Sequence, residues 1–139
     1  MTPIYSLLSA VFQVILADED LADIVGVTGI FVGTQKPKGM KNPVVHLWAN
    51  SAENPSVAAL HTAMIDVVAR TDTPDGEGSQ LAGIFACVDT LMNDVFFSTK
   101  SASGRVNRRG IVVPHAFFDE TEMDYVKHWR YKVVVKSIN

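Results

Sequence analysis

The last fourteen residues, "VKHWRYKVVVKSIN", alternate. Trp129, Tyr131, Val133 and Val135 fall on one side of an extended chain, and His128, Arg130, Lys132 and Lys136 on the other. A period of two over such a length predicts a β-strand with one face in a core and a cationic face opposite. "HTAMIDVVAR" repeats the pattern. Ala63, Ile65, Val67 and Ala69 share one face, and Thr62, Met64, Asp66, Val68 and Arg70 the other, giving one buried face and one mixed face.

The remaining elements follow from spacing and punctuation. Thr2-Pro3 is an N-cap followed by a first-turn proline. Ile4, Leu7, Leu8, Val11, Phe12 and Ile15 then recur on one helical face. "ADEDLADIVG" predicts a short helix capped by Asp18 and closed at Gly26. "TGIFVG" is a short strand, and "VVHLWAN" a strand that starts after Pro43. Leu81, Ile84, Phe85, Val88 and Met92 keep helical spacing across 79–93. "IVVPHAFF" predicts a strand over 111–118, with Pro114 at an edge or bulge, joined through the acidic turn "DETEMD" to a closing antiparallel strand over 126–138. Two stretches, near 34–42 and 98–110, read as flexible loops. The first, within "TQKPKGMKNP", has two prolines, a glycine and three lysines in ten residues; the second, "FFSTKSASGRVNRRG", is rich in Ser, Gly and Arg. The expected fold is α+β: one domain over 1–139, with a mixed, mainly antiparallel sheet of four to five strands packed on two main helices.

Composition supports a sizeable core, with 47% hydrophobic and 19% charged residues in 139. The lone cysteine, Cys87, cannot form an internal disulfide. The N-terminus lacks the basic start of a secretory signal, and no apolar run approaches the ~20 residues that span a bilayer. A cytosolic, soluble protein without membrane contact is expected. Charge is uneven: residues 1–99 hold four Lys/Arg against eleven Asp/Glu, whereas residues 100–139 hold eight against four. That asymmetry suits head-to-tail self-association.

A search for chemistry returns little. No G-x-S-x-G is present, and Cys87 lies within the second long helix beside its apolar stripe, where a thiol packs as a small hydrophobe. His46, His61, His115 and His128 show no metal-ligand spacing. Gly76, Gly78 and Gly83 miss the dinucleotide fingerprint, and Asp72, Asp75 and Glu77 put negative charge where a phosphate would sit. The acids of "DETEMD" read as an exposed turn or as halves of charge pairs. No catalytic, cofactor-binding or metal-binding residue is expected. Candidates for an interface or channel are the cations Lys36, Lys38, Arg105, Arg108, Arg109, Arg130, Lys132 and Lys136. They suit phosphate contacts without sequence reading, contact with another subunit, or plain solvation.

The order of elements carries a resemblance. An amphipathic helix precedes "ADEDLADIVGVTGIFVGTQKPKG" and "NPVVHLWAN"; then come "HTAMIDVVAR", the helix "SQLAGIFACVDTLMND" and a closing pair ending "HWRYKVVV". This arrangement resembles the tail terminator (tail completion, minor tail) proteins of long-tailed bacteriophages. "FFSTKSASGRVNRRG" and the length of the final hairpin exceed that family's compact pattern. The resemblance implies a virion protein made in the host cytoplasm, not an enzyme, and without a cofactor. It implies a ring, usually of six subunits, at the head-proximal end of the tail tube. Such a ring ends tube polymerisation, offers a docking surface to the head connector, and lets DNA pass without sequence-specific binding. The alternative is a small cytosolic α+β ligand-binding domain or enzyme, with a pocket between helix 79–93 and the sheet and with His46, His61 and Asp66 as its only polar candidates.

Overall fold

A computed structural model describes residues 3–51, 60–108 and 115–137 of the chain. Helix α1 spans Pro3–Leu16 and α2 Glu19–Val25; a 3-10 turn over Val27–Gly29 leads into β1, Ile30–Val32. Strand β2 is Val44–Ser51, β3 Leu60–Thr71, helix α3 Gln80–Met92, β4 Val95–Ser98, β5 Ala102–Arg108, β6 Phe117–Asp119 and β7 Asp124–Ser137. Among the described residues seven strands form one sheet in the order β1-β2-β3-β7-β5-β4, with β6 also on β7. Only the β1–β2 pair among them is parallel.

The α+β architecture and the mixed, mainly antiparallel sheet agree with the sequence reading. The strand count does not: seven replace the expected four to five. The difference is the β4–β5 hairpin, which occupies most of the stretch read as the 98–110 loop. Its composition misleads because small residues are what this position needs. Ala102, Ser103, Gly104 and Val106 are buried. A Cβ at Gly104 would stand 2.7 Å from both a Val133 methyl and the Val134 carbonyl, and 3.5 Å from Leu7 of α1. Ser6 of α1 also bonds the turn of this hairpin, with hydroxyl distances of 2.6 Å to Thr99 and 2.9 Å to Ser101.

The closing strand is central rather than terminal in the sheet. β7 pairs along its length with β3, and on its other edge with β6 at its start and β5 at its end. The hairpin through residues 119–124 forms as expected, but it pairs only Phe117–Asp119 with Asp124–Val126. Residues 109–114, which include Arg109 and the first half of the strand expected at 111–118, lie outside the described residues, as does Thr2.

One face of the sheet is the core. Trp129, Tyr131, Val133 and Val135 of β7, and Ala63, Ile65, Val67 and Ala69 of β3, are all fully buried beneath α1 and α3. Leu81, Ile84, Val88 and Met92 of α3 fill the space against them. That seam is where the alternative reading needed a pocket, and it is closed by apolar side chains.

Candidate assembly surfaces

The alternation that buries one face of β3 and β7 turns the other away from the helices. Register places three rows there: His46–Val68–His128, then Trp48–Asp66–Arg130, then Asn50–Met64–Lys132. β5 and β4 continue the face with Ser103, Arg105 and Asn107, and with Phe96 opposite Arg105. Arg105, Arg130, Lys132 and Lys136 therefore share one helix-free surface. Of the acids, Asp66 lies in these rows beside Arg130, and several others lie elsewhere. Glu19, Asp20 and Asp23 ride on α2, which packs on α3 in the helix layer, and Asp75 and Glu77 precede α3.

The charge asymmetry of the sequence thus becomes a difference between two opposite faces. This revises its meaning. Contacts between opposite faces stack copies in line, whereas a ring needs contacts between flanks.

Not every candidate cation is available. Arg130 donates from Nε to Asp66 Oδ1 at 2.8 Å, and His128 Nε2 lies 3.1 Å from the same oxygen. Asn50 donates to the other carboxylate oxygen. Asp66 is wholly buried; burial alone would raise its pKa, but the bonds from His128 and Arg130 outweigh that and hold it below the ordinary aspartate value. Arg130 is therefore a partner of its own chain. Arg105 pairs with Asp94 at 3.4 Å and Arg108 with Asp89 at 3.3 Å, both partly exposed. Lys132 and Lys136 make no ion pair among the described residues, and Lys136 is exposed.

Lys36 is also spoken for. Its side chain is 9% exposed and its ammonium lies 3.3 Å from the buried Asp124 carboxylate. Arg70 approaches Asp124 and Asp119 at 3.0 Å each. Asn42 adds a bond to Asp124 at 3.1 Å. Two acids of the "DETEMD" turn thus tie loop 34–42 and β3 to the final hairpin instead of facing water. The Arg70 guanidinium holds the Asp119 carboxyl below its ordinary range. The sequence reading leaves a charge pair open for this turn but names no partner for it. The available signal was Arg70, a cation closing a strand just as "DETEMD" precedes another. Lys38 stays exposed on the same loop.

His46 is buried between Phe31 and Trp48, with ring centroids 5.1 and 5.8 Å away. Its Nδ1 lies 2.9 Å from the Gly33 carbonyl, so Nδ1–H donates and Nε2 carries the lone pair, without a partner. Burial lowers its pKa to about 4, which keeps the ring neutral. His61 sits in β3 opposite Val135, and His115 is exposed. Cys87 is half-buried rather than fully enclosed; burial, then Asp18 and Asp20, push its thiol pKa up, away from thiolate chemistry. Among the described residues no three His, Cys, Asp or Glu converge as a metal site, and no helix is long and apolar enough to cross a membrane.

The fold defines the class: an α+β chain with a mixed seven-stranded sheet covered on one face by helices. No family model and no curated protein matches the chain. Among solved structures it is similar to a chain of the virion of a native gene transfer agent particle. The TM-score is 0.69 at 18% identity, over 97% of this chain and 98% of that one. At that identity the likeness is one of fold, and it runs end to end.

Proposed function

We propose that this protein is a virion structural protein that forms a ring, of six subunits, at the head-proximal end of a phage-type tail tube. There it ends tube polymerisation and offers the docking surface for a head connector. The observation that carries this reading is the end-to-end fold likeness to a chain of a gene transfer agent virion. The order of elements, which resembles tail terminator proteins, points the same way. So does the packing, since the α3–sheet seam is filled.

In such a ring the helix-free face, with Lys132 and Lys136, turns toward the axis along which DNA passes, and the acidic helix layer faces outward. Loop 34–42, the β4–β5 hairpin and the segment around Arg109 are the surfaces for tube and connector. Negative-stain imaging with light scattering, on the protein alone and with tail tubes, tests the reading. Closed rings, free or at tube ends, are expected. A chain that stays monomeric in both conditions overturns it.

A further inference from the structure

Asp66 lies in the middle of the helix-free face and is wholly buried there. A buried carboxylate costs desolvation that an apolar residue of similar volume does not. Here side chains from the strands on both sides fill its two oxygens. Oδ2 accepts from Asn50 of β2 at 2.6 Å. Oδ1 accepts from Arg130 Nε at 2.8 Å and from His128 Nε2 at 3.1 Å, both on β7. Arg130 adds a longer bond to Oδ2 at 3.4 Å from Nη2. Trp48 stands opposite Asp66 on β2, and its ring meets that of His128 with centroids 5.4 Å apart. The guanidinium is thus gripped along its Nε–Nη2 edge only. Nη1 makes no bond among the described residues, and the Arg130 side chain remains 39% exposed. Lys132 follows on the same face two positions along the strand, roughly 6.6 Å away.

We propose that Asp66 is a positioning residue that holds Arg130 as a phosphate-binding arm. The outward edge of the guanidinium, with Lys132 beside it, takes a phosphate of duplex DNA lying against this face. The ligand follows from chemistry. A guanidinium held along one edge still presents N–H groups from the other, and a phosphodiester supplies anionic oxygens that match them. A side chain already ordered by a carboxylate loses less freedom on binding than a loose Arg or Lys. Such contacts meet the backbone and not the bases, which suits DNA that passes whatever its sequence. This role rests on the ring reading, because the ring brings DNA to the face. A purely structural Asp66–Arg130 pair makes the opposite prediction. Asp66 is then only a negative charge near the DNA, and removing it strengthens binding.

The test is fluorescence anisotropy of a short mixed-sequence DNA duplex with the full chain at low salt. Asp66→Asn keeps the shape of the side chain and makes the protein more positive, yet it is expected to weaken binding about fivefold or more. Arg130→Lys keeps the cation but cannot grip Asp66 and a phosphate together, and a similar loss is expected. The double variant should bind no worse than either single one, because both remove the same arm. Arg130→Gln should lower the slope of log affinity against log salt by about 1. Circular dichroism checks the fold of each variant. If Asp66→Asn does not fold, Arg130→Lys decides with Asp66 still in place. A folded Asp66→Asn that binds as tightly as the unsubstituted chain, or more tightly, overturns the proposal. So does an Arg130→Lys of unchanged affinity, or an unsubstituted chain that does not bind the duplex. Negative-stain imaging of the same samples reads the ring separately. Rings without these affinity losses overturn the arm alone, and these losses without rings overturn the ring reading alone.

Discussion

Trp129 sits where the alternation of the closing strand places it, at the centre of the core. Its ring meets Phe85 edge-on at 4.9 Å, and its indole N–H donates to the Tyr131 hydroxyl at 2.9 Å. That hydroxyl donates to Asp89, whose other oxygen accepts from Arg108. Burial, then the bond to Asp89, raise the Tyr131 pKa far above its ordinary value, so the phenol remains a donor. Truncating Trp129 to Ala is expected to cost about 3–5 kcal/mol in denaturant unfolding. His46 gives a second prediction. Its folded pKa of about 4 lies below the ordinary 6.5, so the unfolded chain takes the proton first. Its contribution is complete above pH 6.5 and is lost as pH falls toward 4, roughly 3 kcal/mol in all. Asp66, held below its ordinary value, adds a loss at lower pH still. Urea titrations from pH 7 to 4 should show the first decline, and His46→Phe should flatten it.

At the scale of elements, the β4–β5 hairpin and the final hairpin depend on different physics. The first depends on smallness. Gly104→Val forces a side chain against Val133, the Val134 backbone and Leu7, and is expected to destabilise the fold by about 1–3 kcal/mol. Hydrogen exchange should show α1 and β5 losing protection together. The second depends on charge. Asp124 is buried between Lys36 and Arg70, so Asp124→Ala removes the carboxylate nearest Lys36 and one of the two that Arg70 meets, and should cost about 3–5 kcal/mol. Lys36→Met removes one cation and should cost less, because Arg70 and Asn42 still hold Asp124. Thermal unfolding of the two variants side by side tests the ordering.

At the scale of the whole molecule, the sheet separates a basic face from an acidic helix layer. On the basic face, Lys132 and Lys136 make no ion pair among the described residues and decide what that face does. Reversing both to Glu should leave ring assembly intact, because a ring joins its subunits through flanks rather than through this face. It should impair passage or retention of DNA, measured as DNA content of assembled particles. Loss of rings in that variant, with the fold intact, would assign the face to a subunit contact instead.

Periodicity alone determined much of this protein. The faces of β3 and β7, the apolar stripes of α1 and α3, and the caps at Asp18 and Gly26 are local properties, set by which side chains can share a face or satisfy a helix end. What the sequence did not reveal depends on residues far apart in the chain. "SASG" reads as a loop until Leu7 and Val133 show why only small side chains fit there. "DETEMD" reads as a solvated turn until Lys36 and Arg70 reach Asp124. Arg130 looks free until Asp66, sixty-four residues away, arrives beside it. Charge along a chain is additive, but charge on a surface depends on which partners folding brings within about 3 Å, and only the tertiary structure decides that.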